Sequence, residues 1–174
     1  MSTKREAGMD ADGWTVIVAF AALAVSIGTW FHGRREKQRD LFLSLHERLT
    51  HPDLLSGRQI LWDEIRGSGN VHDLLQRPHD YRQVVSAIAM FDILGLYVAK
   101  RYVSKEAVLQ EWGSTFARTY LHGVHVLDAR EPKFGWRPWP HFEEFGQEAV
   151  LWHVQMERGH PVEVSEAFDN RLLR

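Results

Sequence analysis

The chain has 174 residues, 21 Lys and Arg against 23 Asp and Glu, a formal net charge of −2 and no cysteine. Disulfides and thiolate zinc sites are thereby excluded. A chain with no basic excess lacks the surface that neutralises phosphates, so nucleic acid is not an expected partner.

The first element is an apolar run, Trp14 to Phe31, without a charged residue. As a helix it spans on the order of 27 Å, close to the hydrocarbon thickness of a bilayer. Trp14 and Trp30 stand near its two ends, where amphipathic rings favour the interface, and Arg34, Arg35, Lys37 and Arg39 follow it. The N-terminal side mixes Lys4 and Arg5 with Glu6, Asp10 and Asp12. The positive-inside bias therefore places the N-terminus outside and the rest of the chain in the cytoplasm. A cleaved signal peptide would call for a basic n-region and a small-residue cleavage site, and neither is present. Ala24 and Gly28 lie four apart, a small-residue spacing that would let two such helices approach closely as a homo-oligomer. The expected division is a tail and membrane helix over residues 1–32, a helical bundle over 33–158 and a polar tail over 159–174.

Leu41, Leu45 and Leu49 continue in helical phase, which predicts one long helix from Trp14 to about Thr50, broken by Pro52. A second helix is predicted from about Asp53 to Arg66, ended by the Gly67-Ser68-Gly69-Asn70 run. Asp80 to Arg101 is apolar nearly all round, as in the central helix of a bundle or, alternatively, a second membrane span. Ser104 is placed to cap the next helix, whose Leu109, Trp112, Phe116, Tyr120, Val124 and Leu127 recur at three- and four-residue steps to about Asp128. A loop rich in proline and aromatics (Glu131 to Pro140) precedes a last helix that carries Phe142, Phe145, Ala149, Trp152 and Met156 on one face and stops at Gly159. No strand-like alternation occurs, so the expected fold is all-α: a transmembrane helix continuing into a bundle of four to five helices.

The anchor with its basic exit, the run MFDILGLYVAKRYVSKEAVLQEWG from Met90 to Gly113 and the segment WPHFEEF from Trp139 to Phe145 together resemble a broad bacterial family of short membrane proteins of uncharacterised function. That resemblance implies one N-terminal membrane helix, a cytosolic helical domain and a bacterial plasma-membrane location. It brings no activity with it.

Asp92 lies within an apolar helix, and an ionised carboxylate there must find a cation or hydrogen-bond donors. Arg118, Arg130 or a histidine of a neighbouring helix are the expected buried polar partners. His122 and His125 are three apart on one helical face, a spacing that can chelate a metal, although no Glu-x-x-His or HExxH pattern accompanies them. The remaining histidines are scattered. No GxSxG, Walker loop, dinucleotide fingerprint or cysteine nucleophile is present, and no cofactor is expected. Trp136, Trp139, Phe142 and Phe145 are the candidate interaction residues, because aromatic side chains are enriched in binding hot spots.

These features point to a membrane-anchored adaptor or regulatory protein, not an enzyme, that binds the lipid bilayer and either a protein partner or a second copy of itself. Two other readings follow from the same residues. One is a membrane-tethered metal-dependent enzyme or metal-binding protein using His122 and His125. The other is a two-span protein in which Asp92 serves ion or proton movement.

Overall fold

The computed structural model describes residues 11–65 and 68–158, the side chains of 11–13, 15–19, 27, 30–32, 34–35 and 68–70 apart. The two tails and the side chains of Trp30, Arg34 and Arg35 lie outside the described residues. Among the described residues the chain forms helices and no strand: α1 (Ala11–Leu49), α2 (Pro52–Glu64), α3 (Ser68–Leu75), α4 (Pro78–Ala99), α5 (Lys105–Phe134) and α6 (Pro140–Arg158). The fold is all-α.

The chain divides into two units, residues 1–40 and 41–174. The boundary between these units lies inside α1. Leu45 and Leu49 are buried and Leu41 and Phe42 pack partly against the core, so the apolar stripe of α1 belongs to the bundle from Leu41 onward. In the first unit Trp14, Phe20, Leu23 and Val25 are exposed. The hydroxyls of Ser26 and Thr29 donate back to the carbonyls of Ala22 and Val25, each at 2.8 Å.

Within the bundle α2 and α6 each pack on both α4 and α5, and α3 lies against the same two helices. Phe116 of α5 sits at the centre, stacked on Phe142 and edge-on to Phe91 and Phe145 with ring centroids 4.9–5.6 Å apart. Such aromatic pairs add about 0.5–1.5 kcal/mol each beyond their area burial. α4 and α6 approach closely at Gly95, where a Cβ would lie 2.4 Å from the carbonyl oxygen of His141. Among the described residues α4 is the helix long and apolar enough to cross a membrane, and Val84, Ala87, Ile88, Met90, Phe91, Leu94 and Gly95 are its buried positions.

Helix ends follow local chemistry. Pro52 opens α2 after His51, whose ring accepts the Asp53 N–H, and Arg77 joins α2 to α4 through Glu64 and Asp80. Ser104 caps α5 by accepting the Ala107 N–H at 3.3 Å. Two boundaries differ from the sequence expectation. Ser68, Gly69 and Asn70 do not terminate α2 but open α3, which buries Val71 and Leu74. α5 runs through Pro132 to Phe134 and ends at Gly135, whose φ of 69° is the left-handed conformation glycine adopts without a Cβ penalty.

Candidate interaction surface

Five residues, 135–139, link α5 to α6, and Asp92, Arg137 and Arg130 fix the linker and the start of α6. Trp139 stands just before α6 with a φ of 58°, in the left-handed region. No short polar side chain is therefore available at the usual capping position. The cap comes from another helix: Asp92 of α4 accepts the Phe142 N–H at 2.9 Å. Its carboxylate also stands at the positive end of the α6 dipole. The expectation of an arginine or histidine partner for Asp92 is thereby corrected, since the contact shown is to a main-chain donor.

Arg137 is the second fastening. Its Nε donates to Glu143 at 2.6 Å, and its Nη1 donates to Asp128 at 2.8 Å and Glu131 at 2.9 Å. One guanidinium thus ties the last turns of α5 to the first turn of α6. Its pKa is raised above the ordinary arginine value, first by the hydrogen bond to Glu143 and then by those to Asp128 and Glu131. Arg130 is the third, its guanidinium 4.6 Å from the Trp139 ring, 4.9 Å from Phe134 and 5.8 Å from Tyr81. Among the described residues its Nε has no hydrogen-bond partner, and the ring faces supply the attraction in its place.

With the linker fixed in this way, Trp136 projects from it and Phe134 from the last turn of α5 beside it. Trp136 is 59% exposed and Phe134 49%, with ring centroids 6.2 Å apart. Trp139 is half-buried under Arg130. Phe142 and Phe145, also expected to meet a partner, do not: they are buried against Phe116, because they share the face of α6 that carries Ala149. Arg118, expected to be buried near Asp92, is exposed, and its guanidinium lies 4.6 Å from the Trp62 ring.

The two histidines of α5 are not joined into a chelate. His122 Nδ1 stands 2.5 Å from the Ile65 carbonyl oxygen at the end of α2, and among the described residues no group of three His, Asp or Glu side chains is placed to hold a metal. A cavity of about 150 Å³ between α4, α5 and α6 is lined by Val98, Phe145 and His141 and rimmed by the Lys105–Glu148 ion pair.

The Arg137 clamp escaped sequence reasoning. Its only signal is an arginine in a Pro/aromatic loop with acidic residues six and nine positions away, a spacing no repeating pattern distinguishes. Comparison with protein-family models, with curated proteins and with solved structures finds no match to this chain.

Proposed function

We propose that the protein is a bacterial plasma-membrane adaptor or regulatory subunit, anchored by Trp14 to Phe31 with its N-terminus outside, whose cytoplasmic helical domain binds another protein through Phe134 and Trp136. The observation that carries this reading is the exposed aromatic pair at the α5–α6 junction, which Asp92, Arg130 and Arg137 hold in place. Aromatic side chains fixed in advance lose little entropy on binding, which is the property of interface anchors. The anchor is supported by the exposed Phe20, Leu23 and Val25, which water would disfavour and lipid would accept, and by the Ser26 and Thr29 hydroxyls satisfied within the helix.

The test is a photo-crosslinking residue in place of Trp136, activated in intact membranes and read by mass spectrometry. A single attached protein, lost when Phe134 is changed to Ala, is the expected result. Crosslinks to this chain alone would replace the partner with a second copy, and no crosslink would reject the surface. Reporter fusions after Arg101 check the topology, and a signal from outside the membrane overturns it.

A further inference from the structure

A second cluster lies on the neighbouring faces of α5 and α6. At Gly113 a Cβ would come within 2.5 Å of the Trp152 ring, so the missing side chain is what lets the indole seat against α5. The next residue on each helix then meets the other: Ser114 Oγ lies 3.1 Å from His153 Nδ1. On the far side of the ring, His153 Nε2 lies 3.3 Å from Glu157 Oε1, one helical turn on. An ionised carboxylate can only accept, so its contact with Nε2 favours the tautomer that carries the hydrogen there and leaves the Nδ1 lone pair to Ser114. The Ser114 hydroxyl therefore donates to His153. Helical hydroxyls commonly turn back on their own helix instead, as those of Thr119 and Thr50 do to the carbonyls of Thr115 and His46.

We propose that Ser114 is a reactive nucleophile, with His153 as its base and Glu157 orienting the ring, that takes an apolar acyl group from an activated ester or thioester. This goes beyond the adaptor reading and rests on different residues. A hydroxyl within reach of a base that a third group holds in one tautomer is the arrangement that activates serine, whatever the fold or the order in sequence. Ser114 Oγ bonds to the carbonyl carbon and its proton passes to His153 Nδ1. The carbon–oxygen or carbon–sulfur bond breaks, and the proton leaves with the alcohol or thiol. Glu157 faces the imidazolium that forms between these steps. The apolar preference comes from Met156, 64% exposed three residues beyond His153, and from the half-buried Trp152 beside it. Ser114 lies inside α5, where main-chain N–H groups serve the helix and are not aimed at an oxyanion. Acylation is therefore slow, and the acyl-serine persists as a modification of the domain.

The full-length protein in detergent, treated with a fluorophosphonate probe, tests this by peptide mapping. The phosphorus bonds to Oγ as fluoride leaves. Ser114 is expected to carry the label, and Ser114→Ala to abolish it. His153→Gln should slow labelling at least tenfold, the lower bound being set by ordinary general-base contributions of about 10²-fold. His153→Ala should regain labelling with added imidazole, which a purely structural histidine would not allow. With p-nitrophenyl octanoate, about one equivalent of p-nitrophenolate should be released slowly and release should then stop, as expected of an acyl-serine that persists. Equal labelling of other exposed serines, or unchanged labelling in His153→Gln with helical circular dichroism intact, overturns the proposal. If His153→Gln loses its helical signal, the exposed Glu157→Gln decides, by a several-fold loss or by none.

Discussion

Arg58 and Arg137 carry the same guanidinium into opposite surroundings. Arg58 of α2 is buried, 4% exposed, with the rings of Trp62, Phe91 and Trp112 5.7–5.8 Å from its carbon and, among the described residues, no hydrogen-bond partner at Nε or Nη1. Burial pulls its pKa below the ordinary arginine value. Arg137 is partly exposed, with three carboxylates around it, and its pKa moves the other way. The first is held by packing and ring faces, the second by directed charge. Where removal of water is nearly complete, the bundle surrounds the cation with polarizable area. Where a linker must be fixed in one geometry, it uses carboxylates, whose hydrogen bonds have direction.

The largest effect should come from emptying the buried site. Arg58→Ala removes a long side chain from among three rings and should cost about 2–4 kcal/mol, the range for large-to-small core substitutions. Arg58→Met refills the volume without charge and should stay within about 1 kcal/mol of the parent or exceed it, since an apolar replacement of a buried charge is often neutral or stabilising. Chemical denaturation of both variants checks this, and equal losses would mean the charge itself holds the site. Next in size, Arg137→Gln leaves Asp128, Glu131 and Glu143 facing one another and should cost about 1–2 kcal/mol, less than a fully buried pair because the side chains are partly wet. That loss should shrink in 0.5 M salt, whereas the Arg58→Ala loss should not. An unscreened Arg137 effect would place it with Arg58 as a packing residue.

The difference between the two arginines also marks what the sequence makes legible. Helical periodicity exposes α2, α4, α5 and α6, because each repeats an apolar position every three or four residues into the same core. α3 hides because its buried pair, Val71 and Leu74, is too short a repeat and follows a Ser-Gly-Asn run that reads as a turn. The end of α5 is placed too early, at about Asp128 ahead of the proline and aromatic run, although Gly135 is the residue that stops the helix. Phe142 and Phe145 illustrate a conflict of signals: their spacing with Ala149 marks a core face, while their aromatic character suggests a partner, and the spacing decides. Directed polar contacts leave no such trace. The partner of Asp92 is a main-chain N–H, which every residue but proline possesses, so no side-chain pattern could name it.

Asp92 stands between the two arginines in kind, a directed contact inside a half-buried seam. Asp92→Ala leaves the start of α6 without its interhelical acceptor and should cost about 0.5–2 kcal/mol, as lost helix caps do, whereas Asp92→Asn keeps an acceptor and should lose only the charge–dipole part, about 0.3–1 kcal/mol. Equal losses would show that charge, not the hydrogen bond, matters there.

Tyr120 carries the smallest prediction and tests desolvation, the largest of the causes that act on it. Burial raises its pKa above the ordinary tyrosine value, with Glu143 and Asp128 adding to the rise and Gln147 and Arg137 opposing it. The cause that lowers Arg58 thus raises Tyr120, since in each case the charged form is disfavoured. For a group whose folded pKa lies above its unfolded one, the folded state binds the proton more tightly. Its stabilising share is whole below the unfolded value, about 10, and fades as pH rises through the folded value. Thermal unfolding followed from pH 8 to 11 should therefore show a stability decline above pH 10 that is shallower in Tyr120→Phe, which has no proton to lose. An identical decline in both would mean that the phenol is as well hydrated in the bundle as in the unfolded chain, and the contrast between packing and directed charge would then hold at Arg58 alone.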